Sequence, residues 1–181
     1  MDPSQAHRLA LAPHPSTPSD AVRAIEARVA RAAEGVLTFR YAIEADVSRV
    51  RLPPPRSARR ADGLWRHTCL EAFIAPSPGP AYLELNFSPT GEWAGYAFSA
   101  YRTGMSVAAG IEPPSIAVER GAGGFTLDAA VGLRLLRSGA AARVGLAAVI
   151  EDSRGSLSYW ALEHPPGKPD FHHPCGFGLQ I

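Results

Sequence analysis

The stretch Asp62-Gly63-Leu64-Trp65-Arg66-His67-Thr68-Cys69-Leu70-Glu71-Ala72-Phe73-Ile74 runs through a Pro- and Gly-rich turn at 76–80. It continues as Tyr82-Leu83-Glu84-Leu85-Asn86-Phe87-Ser88. Side chains alternate here with a period of two, as in strands whose two faces meet different surroundings. Thr68, Leu70, Ala72 and Ile74 share one side; His67, Cys69, Glu71 and Phe73 share the other. In the second run Leu83, Leu85 and Phe87 form an apolar side, opposite Tyr82, Glu84, Asn86 and Ser88. Paired as a hairpin, the two polar sides fall on one face of a sheet. Pro89-Thr90-Gly91 turns the chain into a third strand over 93–101, with Trp93, Gly95, Ala97 and Ser99 on one face and Tyr96 and Phe98 on the other. Most residues capable of chemistry lie in this three-stranded unit.

Working outward, Leu37, Phe39, Tyr41 and Ile43 alternate with Thr38, Arg40, Ala42 and Glu44, a half-buried strand. Phe125, Leu127, Ala129 and Val131 repeat the pattern, and the apolar run 144–150 suits a strand covered on both faces. Shorter strands are expected at 7–12, 47–52, around Ile116 and Val118, over 157–162 and at the C-terminus through Phe177, Leu179 and Ile181. One segment reads differently. Thr17 can cap a helix, Pro18 suits its first turn, and Val22, Ile25, Val29 and Ala32 recur at helical spacing before Gly35. These signals predict an α-helix over about 18–33, packed on the sheet. Nine or ten short strands with one helix argue for a mostly β, antiparallel β-sandwich in a single domain over 1–181.

Composition narrows the function. The 181 residues are 46% apolar and 19% charged, with a formal net charge of +1. That balance is globular, and it lacks the basic footprint of a nucleic-acid binder. Arg56, Arg59 and Arg60 read as a solvated loop. No run approaches the ~20 apolar residues of a membrane-spanning helix, and no secretory leader is evident at the N-terminus. The expected setting is cytoplasmic, with Cys69 and Cys175 as free thiols. Nucleic-acid and membrane partners are not expected; a protein partner is left open.

The polar sheet face is the candidate site. Recognition of a sugar needs amide or carboxylate groups that bridge hydroxyls, and an aromatic ring to cover the apolar side of the pyranose. Trp65, His67, Glu71, Tyr82, Glu84, Asn86, Ser88 and Trp93 supply both kinds of group. Alternatives stay open. Glu71 and Glu84 could form an acid/base pair in an enzyme. His164, His172 and His173 could hold a metal ion, without a zinc-finger spacing. His67 or a tail histidine with Met105 could ligate haem in an electron-transfer domain. The face could equally dock a protein. No nucleophile elbow, P-loop or dinucleotide fingerprint is present; no catalytic residue is assigned.

The run at 62–73, the strand and turn at 82–94, and the tail Tyr159-Trp160-Ala161-Leu162-Glu163-His164-Pro165 with Gly167-Lys168-Pro169-Asp170-Phe171-His172-His173 resemble the DOMON-like group of bacterial proteins. The resemblance covers most of the chain. That group is related to family-nine carbohydrate-binding modules, and Trp65, Glu71, Glu84, Asn86 and Ser88 match the shared pattern. The resemblance implies a jelly-roll-type β-sandwich with a concave sheet face. It also implies a non-catalytic module that binds a carbohydrate or another polar small molecule. The sugar modules grip their ligand between two tryptophans, for which Trp93 and Trp160 are the remaining candidates beside Trp65. Other branches of the superfamily bind haem.

Overall fold

The hairpin expected from the deciding stretch is present, with its predicted facing. In the computed structural model, which describes residues 7–139 and 141–181, β4 (Cys69–Pro76) pairs antiparallel with β5 (Tyr82–Phe87), setting Glu71 opposite Asn86 and Phe73 opposite Glu84. β6 (Trp93–Phe98) pairs with β5, setting Tyr82 opposite Phe98, Glu84 opposite Tyr96 and Phe87 opposite Trp93. Gly63 and Gly91 occupy the left-handed region, at φ 73° and 89°, where the chain enters β4 and leaves β5.

The remaining strands are β1 (His7–Pro13), β2 (Val22–Ala33), β3 (Val36–Ala45), β7 (Ser106–Val107), β8 (Ser115–Gly121), β9 (Gly124–Gly132), β10 (Ala142–Glu151), β11 (Leu157–Ala161) and β12 (Leu179–Gln180). All pair antiparallel, in the order β7-β6-β5-β4-β10-β11-β1-β2-β3-β9-β8. β12 adds to Arg143 and Val144 of β10, so the C-terminus does join the sheet. Residues 47–52 form no strand; Val50 makes a single bridge to Asp152. Among the described residues no helix is long and apolar enough to cross a membrane.

β1 is not an edge. Residues 7–11 pair with β2, while Ala12 and Pro13 pair with β11. One strand therefore carries the hydrogen-bond ladder from one limb to the other, and the result is a single strongly curled sheet. Curling turns the two limbs toward a common apolar core. Phe39 of β3 meets Phe87 of β5 with ring centroids 5.6 Å apart. The buried Tyr41 hydroxyl donates to the Glu71 carbonyl across the core, at 2.7 Å.

The expected α-helix over 18–33 is absent: no α-helix occurs among the described residues, and Val22–Ala33 is β2. The register slips between Val22 and Ala24, marking a β-bulge at Arg23. A bulge inserts one residue and reverses the inside–outside phase. Val22 and Ile25 are therefore both buried, three apart, as on a helix. Ile25, Ala27 and Val29 then alternate inward as strand residues do. Ala27 is too weakly apolar to advertise that alternation in the sequence.

A second apolar cluster lies on the opposite side of the β4/β5/β6/β10/β11 limb. Phe73, Tyr82, Tyr96, Phe98, Ala147, Ala161 and Phe177 form it, with Trp65 and Phe171 packed against it. This limb is thus covered on both faces, which is why β4, β5 and β10 are buried almost residue by residue. The irregular tail from 163 to 178 lies on this second face.

Candidate functional site

The second face opens into a cleft of about 350 Å³, within the range of small-ligand sites. Trp65, Glu71, Glu84, Phe98, Arg102, Met105, Val149, Tyr159, Pro169, Phe171 and His172 line it. Its floor is sheet. Glu71 and Glu84 rise from β4 and β5, Phe98 from β6, Val149 from β10 and Tyr159 from β11. Its walls are loops. Trp65 sits in the 3-10 turn Leu64–Arg66; Arg102 and Met105 follow β6; Pro169, Phe171 and His172 come from the tail.

Two carboxylates mark the floor. Glu71 is 3% exposed and Glu84 is 5% exposed. Burial holds both carboxyls above the ordinary 4.5, and for Glu71 the neighbouring charge of Glu84 adds to the effect. Asn86 is fully buried beside them and donates from Nδ2 to Glu84 Oε1 at 2.8 Å. The buried oxygens Glu71 Oε1 and Asn86 Oδ1 have no hydrogen-bond partner in the protein. A buried acceptor left without a donor costs about 1–3 kcal/mol, so these atoms mark where an incoming donor is favoured.

The wall beside Glu84 is a hydrogen-bonded relay. The Arg102 backbone N–H donates to the Tyr82 hydroxyl at 3.2 Å, and that hydroxyl lies 2.8 Å from His172 Nδ1. His172 Nε2 lies 3.7 Å from Glu84 Oε2. Desolvation, with Arg102 nearby, lowers His172 to about 4. Tyr82 stacks on Phe98 at 4.8 Å, fixing the phenol that holds the imidazole. Arg102 is itself taken up by Asp170 through Nη2 and Nε, at 2.6 and 3.2 Å; Tyr101 OH also donates to Asp170. Trp65 packs edge-on against Tyr96 at 5.7 Å and keeps part of its surface open. Tyr96 is in turn held by Asp62, at 2.6 Å.

Of the eight residues expected to bind ligand, Trp65, Glu71 and Glu84 line the cleft. Tyr82 and Asn86 stand behind it, positioning His172 and Glu84. The other three lie elsewhere. His67 Nδ1 is 2.8 Å from Glu151, which also pairs with Arg51 at the sheet end. Ser88 accepts from Thr90 within the turn after β5. Trp93 lies across from Phe87 on the opposite face of the limb. Trp160 is no partner for Trp65 either: it is buried in the core between the limbs. The reading from sequence overlooked Phe98, Arg102, Met105, Tyr159, Phe171 and His172 as partners of this face. Phe98 and Tyr159 carried a signal, the alternation of β6 and β11. The loop residues carried none.

The tail histidines do not converge. His164 faces the Ala12 carbonyl, His172 lies between Tyr82 and Glu84, and His173 accepts from the Cys175 N–H. Among the described residues no group of three or more His, Cys, Asp or Glu is placed to hold a metal ion. Of the residues considered as haem ligands, His172 and Met105 both line the cleft, with His172 Nδ1 engaged by the Tyr82 hydroxyl, while His67 is paired with Glu151 away from it. Met105 is a half-exposed loop residue. A wider groove, about 530 Å³, runs over the other limb beside Glu26, Glu44 and Glu119. Its one aromatic lining residue, Phe125, is buried in the core, so it offers a ligand no exposed ring.

The fold is that of carbohydrate-binding modules of family nine. A protein from Bacteroides uniformis ATCC 8492 proposed to bind carbohydrate superposes with a TM-score of 0.72 at 14% identity, over 97% of this chain and 85% of that one. A family-nine module from Caldicellulosiruptor kristjanssonii in complex with glucose matches with a TM-score of 0.50 at 12% identity, over 84% and 72% of the two chains. The cellotriose complex of a family-nine module from that organism matches with a TM-score of 0.51 at 12% identity, over 91% and 76%. No protein-family model matches the sequence, and no curated protein matches it.

Proposed function

We propose that the protein is a non-catalytic carbohydrate-binding module whose ligand occupies the cleft between Trp65 and the tail. One observation carries this reading. The cleft joins partly open aromatic surfaces (Trp65, Tyr159 and Phe171) to buried carboxylate acceptors on Glu71 and Glu84. A pyranose presents that same combination, an apolar face ringed by hydroxyl donors. The likeness in fold to modules solved with glucose and cellotriose supports the choice of ligand class.

Titration calorimetry with glucose and cellotriose tests it. The wild-type protein is expected to bind at least one of them. Trp65→Ala is expected to weaken binding about tenfold or more, near 1.4 kcal/mol. Glu84→Gln should weaken it too, because the charged acceptor and its contact with Asn86 are altered together. Affinity unchanged in both variants would place the sugar elsewhere, and saturation by neither sugar would count against the reading itself.

A further inference from the structure

The floor of the cleft has a charge surplus that a neutral sugar does not match. Glu71 and Glu84 are both buried, and on both their carboxyls burial favours the neutral form. The groups around Glu71 come from several elements: Tyr41 from β3, Cys69 from β4, Glu84 and Asn86 from β5, Arg102 from the loop after β6, Tyr159 from β11, and His172 from the tail. None of them supplies a free cation. Arg102 is the one permanently charged base lining the cleft among the described residues, and Asp170 engages it through two nitrogens. His172 stays neutral, its Nδ1 held by Tyr82. Cys69 is a buried thiol whose burial opposes ionisation. The acceptors left open on the cleft-lining carboxyls are Glu71 Oε1, without a partner, and Glu84 Oε2, with only the long contact to His172; Asn86 Oδ1, behind them, is unpartnered too.

Acceptors without donors, and a carboxyl pair whose one nearby base, Arg102, is already engaged by Asp170, call for the same group: a cation carrying several N–H bonds. An ammonium offers three donors and a full charge. A sugar hydroxyl offers one donor and no charge, so it leaves the two carboxyls sharing their site unfavourably. We infer, building on the carbohydrate reading above, that this cleft is selective for a saccharide bearing a protonated amino group, with Glu71 and Glu84 as its ammonium acceptors. The aromatic walls take the ring, and the floor takes the amine. Before binding, burial favours a proton on the carboxyl pair. An arriving ammonium stabilises the fully ionised pair, so that proton leaves to solvent as the ligand enters.

The test is calorimetry at about pH 6, below the ordinary range of amines and above that of free carboxyls. The wild-type protein is titrated with the glucosamine trimer, its N-acetylated counterpart and cellotriose, in two buffers of different ionisation enthalpy. The expected result is about tenfold or more tighter binding of the amine than of cellotriose. Proton release should accompany the amine alone. The N-acetylated trimer should lose the advantage, because it keeps the ring and removes the charge. Glu71→Gln should lower affinity for the amine by a larger factor than affinity for cellotriose, and abolish the proton release. Equal or tighter binding of cellotriose overturns the inference and leaves the carbohydrate reading standing. Binding of none of the three sugars overturns the inference, and if glucose does not bind either, the carbohydrate reading falls with it. Binding of the amine without proton uptake or release, and unaltered by Glu71→Gln, overturns the role of the pair. The wild-type comparison decides the matter even if the variant does not fold.

Discussion

The two limbs of the sheet are built from the same alternating strands but treat their outer faces in opposite ways. On β2, β3 and β9 that face meets water. Glu26 pairs with Arg8 and Arg28, Arg23 with Glu44, and Arg40 with Asp128, all with substantial exposure. On β4, β5 and β10 that face is covered by a second apolar cluster and the tail, yet it still carries Glu71, Glu84 and Asn86. The first limb uses charge as a solvated coat, where each pair is worth little. The second buries charge without a full set of partners, which costs stability. Polar groups kept at that cost, with a cleft open above them, are the observation on which the proposed site rests.

Three measurements probe the contrast. The largest effect is expected where the limbs meet. Phe39 is 2% exposed and contacts Phe87; Phe39→Ala should cost about 3–5 kcal/mol in urea unfolding. A loss near 1 kcal/mol would mean the limbs do not depend on a shared core.

The second measurement is the pH dependence of stability. Glu71 titrates above 4.5 in the folded protein because it is buried beside Glu84. Its folded form therefore keeps a proton that the unfolded chain has released. The associated stability is complete below about 4.5 and declines as pH rises toward the folded value. His172 acts in the opposite sense: its folded value of about 4 lies below the ordinary 6.5, so stability falls as pH drops through that window. Glu71→Gln keeps the His172 contribution and removes that of Glu71. Relative to wild type it should gain stability steadily as pH is raised from about 4.5, at up to about 1.4 kcal/mol per unit. Parallel profiles would show that Glu71 is not held neutral by the fold.

The smallest effect belongs to the solvated limb. Arg40→Ala breaks the 2.6 Å contact with Asp128, whose partners are about 40% exposed. It should change stability by no more than about 0.5 kcal/mol and should weaken further in salt. A cost above 1 kcal/mol would erase the distinction between the limbs.

Much of this was legible before any fold was known, for a specific reason. Alternation over 69–74 and 82–87 places Glu71, Glu84 and Asn86 on one face whatever the sheet does next, because side-chain direction in a strand is a local property. The same rule misread β2, where a bulge at Arg23 imitates helical spacing. It also placed His67 and Ser88 with the site, to which Trp93 was joined by nearness in sequence alone. His67 and Ser88 lie beyond the strand ends, where alternation no longer governs direction, and Trp93 begins β6 on the far face.

The sequence by itself determined the antiparallel class, the facing of the hairpin strands and the grouping of two glutamates with an asparagine. Local periodicity and turn chemistry suffice for those. Only the tertiary structure decided that the face is roofed over, that Arg102 and His172 stand beside the glutamates, and that Trp160 belongs to the core. Those facts depend on a sheet curled through β1 and on a tail that returns across it from about ninety residues away in sequence. No short-range pattern encodes a contact of that span, because its geometry is set by the packing of the limbs between.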